Sequence, residues 1–143
     1  MMQPSRTCLN RNRWDLGEGM IQTKRQCVLV VDDQPHVLKF IEIDLKLHGF
    51  EVVTTTSGKK ALELVKSVNP DIMLVDMIMP DMDGCEVLRN LRVFTLLPVI
   101  VFSASHESHN DAISCGASDF MDKPFRSEDM VRRIETLLTF ETG

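Results

Sequence analysis

Several side chains capable of chemistry stand where short apolar runs of this sequence stop. CVLVV (27–31) gives way to Asp32 and Asp33, IMLV (72–75) to Asp76 and VIVF (99–102) to Ser103, while DFMD (119–122) is followed by Lys123 and Pro124. Carboxylates gathered at one place repel one another strongly at low effective dielectric, so such a cluster calls for a cation. Histidine and cysteine are missing from these positions, which argues against zinc. Mg2+ suits them better, because it takes one or two carboxylates, keeps several waters and favours a phosphate partner. Lys123 supplies a mobile point charge for a phosphoryl oxygen, and Ser103 a hydroxyl donor. In that company a carboxylate can attack phosphorus. Asp76 is placed to do so, at the head of the loop MIMPDMDG that turns at Pro80 and Gly84.

The elements that must position these groups follow from periodicity. Each apolar run is too short for a helix and has the length of a strand buried on both faces. FEVVTT (50–55) and DFMD are more mixed, as strands nearer a sheet edge are. Helical stripes fill the intervals. Asp33 is the expected cap of the first helix, with Pro35 near its first turn, Leu38, Ile41 and Leu45 inward and Gly49 as its stop. Helices are also expected over 58–68 with Ala61, Leu62 and Val65 inward, over 85–91, and more weakly over 107–115 with Ala112 and Ile113 inward. Ser127 is expected to cap a last helix carrying Met130, Ile134 and Leu137. A strand and a helix thus alternate five times. Right-handed crossovers then give a doubly wound α/β domain with a five-stranded parallel sheet, whose ligands bind beyond the carboxyl ends of the strands.

Composition removes other classes. With 143 residues, 43% apolar and 26% charged, the chain has the make-up of one ordinary globular domain with a real core. Residues 1–25 show no apolar period and read as a flexible N-terminal extension, leaving 26–140 as the folded domain. The longest apolar stretch, Cys27–Val31, is far short of a membrane span, and no secretory signal is visible, so the cytoplasm is the expected compartment without membrane insertion. Five basic and two acidic side chains fall in 1–25, leaving eleven basic and nineteen acidic on 26–143. So acidic a body repels phosphate backbones, and no direct nucleic-acid contact is expected of it. Cys8, Cys27, Cys85 and Cys115 form no CxxC and read as reduced thiols.

The runs VLVVDDQP, MLVDMIMPDMDG, VIVFSAS and GASDFMDKPF together resemble the receiver domain of bacterial two-component response regulators, over residues 26–140. The resemblance implies a flavodoxin-like sheet in the order 2-1-3-4-5. It also implies that Asp32, Asp33, Asp76 and the backbone carbonyl of Met77 hold Mg2+, and that Asp76 accepts phosphate from a sensor histidine kinase or a histidine phosphotransfer protein. Lys123 and Ser103 would read the phosphoryl group, with a cis peptide between Lys123 and Pro124. Ser103 and Phe120 would then switch the face made by the fourth helix, fifth strand and fifth helix, where a downstream target protein binds. Beyond Mg2+-dependent self-phosphorylation and self-dephosphorylation, no enzymatic activity is implied. Gln34 departs from the third acidic residue of many receivers. No output domain follows residue 140, which gives the expectation of a stand-alone receiver similar to chemotaxis receivers. The alternatives are the N-terminal receiver of a larger regulator and a phosphorelay intermediate.

Competing readings fall on named residues. A haloacid-dehalogenase-like phosphatase also forms an aspartyl phosphate but needs a second aspartate two residues after the nucleophile, where this chain has Ile78. His106 and His109 lack a third ligand nearby and read as solvated. Asp81 and Asp83 read as turn residues. Of the nine methionines, Met73, Met121 and Met130 fit core positions, and Trp14 is a candidate partner anchor in the tail.

Overall fold

The computed structural model describes residues 25–105 and 107–142. In chain order they form β1 (Cys27–Val31), α1 (Pro35–Leu47), β2 (Glu51–Thr55), α2 (Gly58–Val68), β3 (Ile72–Asp76), α3 (Gly84–Leu91), β4 (Val99–Ser103), α4 (Ser108–Ser114), β5 (Asp119–Asp122) and α5 (Ser127–Thr142). The strands pair in parallel in the order β2-β1-β3-β4-β5. Their register sets Leu29 between Val53 and Met73, and Val101 between Val75 and Phe120. The expectations for the tail over 1–25, Arg25 apart, and for Cys8, Trp14 and His106 lie outside the described residues.

Successive strand residues face opposite ways, so each apolar run feeds two cores. Leu29, Met73, Val75 and Val101 pack with Ala61, Val65, Leu88 and Leu91 beneath α2 and α3. On the other side, Val30, Leu74, Ile100 and Phe102 pack with Ile41 and Leu45 of α1 and with Met130 and Ile134 of α5. Each such side chain larger than alanine contributes, when fully buried, roughly 1.5 to 3 kcal/mol before chain entropy is subtracted. Met73, Met121 and Met130 are core residues.

Several helix details differ from the sequence reading. Gln34, not Asp33, is the N-cap of α1 and makes no side-chain cap; Pro35 begins the helix with φ already suited to it. On α2 the buried set is Ala61, Leu64, Val65 and Val68, while Leu62 is only partly covered, because the helix turns its i, i+3, i+4 and i+7 positions to the sheet. On α4 Ala112 is buried but Ile113 is exposed. On α5 the stripe runs through Leu138, with Leu137 at its margin.

The cysteine expectation is corrected. Cys85 at the start of α3 and Cys115 just past α4 are joined by a disulfide, with Cα atoms 5.4 Å apart. Cys27 is also disulfide-bonded. Thirty residues separate Cys85 from Cys115, so no local motif announces the pair.

Candidate functional site

β1 and β3 lie side by side, so their carboxyl ends deliver Asp32 and Asp76 to one rim. Asp33 joins them, and carboxylate oxygens of the three lie within 4.8 Å of one another. Asp32 is fully buried and Asp76 nearly so. Asp32 Oδ1 accepts the Gln34 N–H at 2.9 Å, which fixes the carboxylate at the turn into α1. Asp76 Oδ1 accepts the Ile78 N–H at 3.4 Å.

Lys123 reaches the same place from beyond β5. Its Nζ lies 3.0 Å from Asp32 Oδ2 and 3.3 Å from Asp76 Oδ2, bridging the two. The ammonium also stands 4.9 Å from the centre of the Phe102 ring, a cation–π contact that restricts where the chain end can go. Lys123 N–H donates to the Ser103 carbonyl at 2.8 Å, which ties the start of this segment to β4; the Lys123–Pro124 peptide is cis. Ser103, at the end of β4, is buried, and its hydroxyl accepts the Ser105 N–H at 3.0 Å.

The loop after Asp76 folds back on itself. Met77 accepts the Gly84 N–H on its carbonyl at 2.7 Å. A Cβ on Gly84 would lie 3.0 Å from Met77 Cα and 3.1 Å from the Asp76 carbonyl oxygen, so only glycine lets the loop close this tightly. Asp83 caps α3 through the Glu86 N–H at 2.9 Å, and Asp81 takes the Ser57 hydroxyl at 3.1 Å. Both were expected to be turn residues; Asp83 instead caps a helix, and Asp81 ties the loop to the start of α2 through Ser57, Gly58 and Lys59.

Charge balance at the rim is uneven. Burial lifts the Asp76 carboxyl above its ordinary range and the neighbouring Asp32 adds to the lift, against the pull of Lys123 and the Ile78 N–H. Burial works against the Lys123 ammonium, but its hydrogen bond to Asp32 and the charges of Asp76 and Asp32 outweigh that, so its pKa rises. Three carboxylates faced by one ammonium leave two negative charges. The donors are all hard oxygens, so the set fits a hard divalent cation by both charge and ligand type.

Phe120 sits away from the carboxylates, on β5. Its ring is buried and lies nearly flat against the imidazole of His109 on α4, with centroids 4.9 Å apart. Beside it, Arg133 of α5 clamps Asp119 with Nη1 at 2.9 and 2.8 Å from the two oxygens, while its Nε holds Asp129 at 3.0 Å. His109 thus has a specific aromatic neighbour, which its isolated position in sequence did not reveal. The Asp129–Arg133 pair was readable as i, i+4 on a helix; the Asp119 clamp, fourteen residues away, was not.

The family model of the response regulator receiver domain matches residues 28–135. Transcriptional regulatory protein KdpE of Mycobacterium tuberculosis is 36% identical over 118 residues, covering 81% of this chain and 52% of that protein. Cell cycle transcriptional regulator CtrA of Caulobacter vibrioides is 36% identical over 119 residues, again 81% and 52%. The chain therefore spans about half the length of these curated relatives. Among solved structures, the receiver domain of Francisella response regulator 1452 superposes with a TM-score of 0.77 at 31% identity, covering 82% of this chain and 99% of that one. The BeF3-activated N-terminal receiver domain of Klebsiella pneumoniae RstA gives 0.75 at 28% identity, covering 79% and 98%.

Proposed function

Because this chain belongs to the response regulator receiver family, we propose that it takes a phosphoryl group on Asp76 from a phosphohistidine and changes its α4/β5/α5 face in response. The observation that carries this reading is the bridge of Lys123 to both Asp32 and Asp76 at the rim of the sheet. Asp76 Oδ attacks phosphorus, and the phosphoryl group leaves the histidine nitrogen of a sensor kinase or phosphotransfer protein. Lys123 moves its ammonium from the carboxylates onto a phosphoryl oxygen, and the Ser103 hydroxyl turns from Ser105 to donate to another. Asp32, Asp33, Asp76 and the Met77 carbonyl would hold Mg2+, which would supply charge neutralisation of the phosphoryl oxygens. The protein is then a cytoplasmic switch and no enzyme in the ordinary sense, its only turnover being gain and loss of its own phosphate.

Withdrawal of Ser103 toward the phosphoryl group opens room between β4 and α4, and the Phe120 ring, freed from its stack on His109, repacks there. NMR of the Phe120 ring in Mg2+ with and without beryllofluoride reads this directly. Two distinct environments are expected, and a single unchanged one defeats the switch.

Signal lifetime depends on water reaching the far side of phosphorus. Ile78, two residues past Asp76, and Ser105, two past Ser103, flank that approach; the first cannot orient water and the second is too short to hold it firmly. Slow self-dephosphorylation is expected. The double variant Ile78→Asn, Ser105→Gln should lose its phosphoryl label faster than wild type, and equal decay rates would remove both side chains from control of access.

A second reading, in which the same switch serves as the receiver part of a longer regulator, is favoured by relatives about twice the matched length. One relative at 32% identity is named a DNA-binding response regulator, MtrA of Mycolicibacterium smegmatis, of which the match covers 53%. In that reading the acidic body still avoids nucleic acid, and contact with DNA belongs to another part of the molecule.

A further inference from the structure

The disulfide between Cys85 and Cys115 lies where the phosphoacceptor loop meets α4. Cys85 follows Gly84, whose N–H holds the Met77 carbonyl, and Cys115 closes α4. The bond therefore ties the loop next to Asp76 to the helix that carries His109. Apart from the bond, α4 is held by its one buried residue, Ala112, by the stack of His109 on Phe120 and by Arg92 on the Gly116 carbonyl, while its N-cap makes no side-chain hydrogen bond.

Chemistry at the two sulfurs is unequal. Cys85 is buried at the second position of α3, an eight-residue helix capped by Asp83, whereas Cys115 is partly exposed. A groove of about 400 Å3 opens onto the pair between α3 and α4, with Arg89 on its wall. Cys115 is the more exposed residue of the pair, so attack by an incoming thiolate falls on its side of the bond. The sulfur it expels is then that of Cys85. Once protonated, that thiol has an acceptor at hand, because Cys85 Sγ lies 3.5 Å from the Asp111 carbonyl oxygen.

We propose that Cys85–Cys115 is a thiol–disulfide exchange site whose redox state sets the mobility of α4 against the phosphoacceptor loop. In reduction, a thiolate of a dithiol attacks Cys115 Sγ and the S–S bond breaks, its electron pair leaving on Cys85, which takes a proton from water. The second thiolate of the reductant then displaces Cys115 from the mixed disulfide. The dithiol ends oxidised to its own disulfide, and the protein gains two thiols. Oxidised glutathione reverses the reaction, leaving two molecules of reduced glutathione. Opening the bond does not detach the end of α4, because Arg92 Nη2 and Nε still hold the Gly116 carbonyl at 2.8 and 3.2 Å. The inference rests on the proposed function only in treating α4 as part of the output face.

The test uses the full chain, equilibrated natively with oxidised glutathione or with dithiothreitol. Differential alkylation and peptide mapping report Cys85 and Cys115 separately from the other cysteines, and amide hydrogen exchange reports residues 107–118. The bond should form in the first pool and open in the second with circular dichroism unchanged, and exchange over 107–118 should be several-fold faster when it is open. The double variant Cys85→Ser, Cys115→Ser should match the reduced pool under both conditions. Unpaired thiols at 85 and 115 under oxidised glutathione, a bond that opens only after unfolding, or equal exchange in the two pools would each overturn the proposal.

Discussion

Incubated with acetyl phosphate and Mg2+, the wild-type chain is expected to gain one hydroxylamine-labile phosphoryl group, and Asp76→Asn none. The difference is all or nothing because an amide oxygen in that position carries no full negative charge and cannot form an acyl phosphate. Asp32 and Asp33 are carboxylates too, so the assay discriminates. Asp32 has Oδ1 held by the Gln34 N–H at 2.9 Å and Oδ2 by Lys123 at 3.0 Å, and it is fully buried, so it offers no open side to an incoming phosphoryl group. Asp76 keeps its looser contacts, at 3.4 and 3.3 Å, and retains slight exposure. Intact-mass measurement followed by peptide mapping reads the result. Label on Asp76→Asn at the wild-type level would move the acceptor elsewhere and take the proposed function with it.

The second large effect is on stability. Lys123→Met should cost roughly 3 to 5 kcal/mol at neutral pH in metal-free buffer, the range for breaking a buried ion pair by removing one partner. Two buried carboxylates would lose the ammonium that bridges them. Burial and Asp32 already hold the Asp76 carboxyl above its ordinary range, and loss of Lys123 raises it further. A carboxyl raised in the folded state gives stability that is full below its unfolded pKa and lost as pH rises through the folded value. The deficit relative to wild type should therefore shrink as the solution is acidified and be largest at neutral pH. Mg2+ binding only the folded form should return about 2.7 kcal/mol at a hundredfold excess over its dissociation constant. Urea titrations at two pH values, with and without Mg2+, measure all three quantities. A variant as stable as wild type in metal-free buffer at pH 7 would show that the bridge carries no stability.

How much of this was written in the sequence depends on the range of the interaction. The strands were legible because a parallel strand covered on both faces is apolar along its covered length, as are all five residues of β1 and the first four of β3 and β4, all of them buried. The rim residues were legible for the complementary reason: a charge directly after such a run has nowhere to go but the strand end. Helix faces were read less well. Leu62 and Leu64 differ by two positions on α2, and only the sheet beneath decides which is covered. α4, with a single buried residue, carries too weak a stripe to orient Ile113. The Cys85–Cys115 bond, the Asp119–Arg133 clamp and the stack of His109 on Phe120 join different elements, so no local pattern encodes them.

The bridge between Lys123 and Asp32 spans ninety-one positions of chain. On a ribosome, Asp32 and Asp76 are therefore made, and β1 and β3 can pair, well before the ammonium that reconciles them exists. A nascent chain holding the first four strands carries an unreconciled acidic rim, which opposes premature closure until β5 arrives. A chain cut short before residue 123 would hold Asp32 and Asp76 without the ammonium that bridges them.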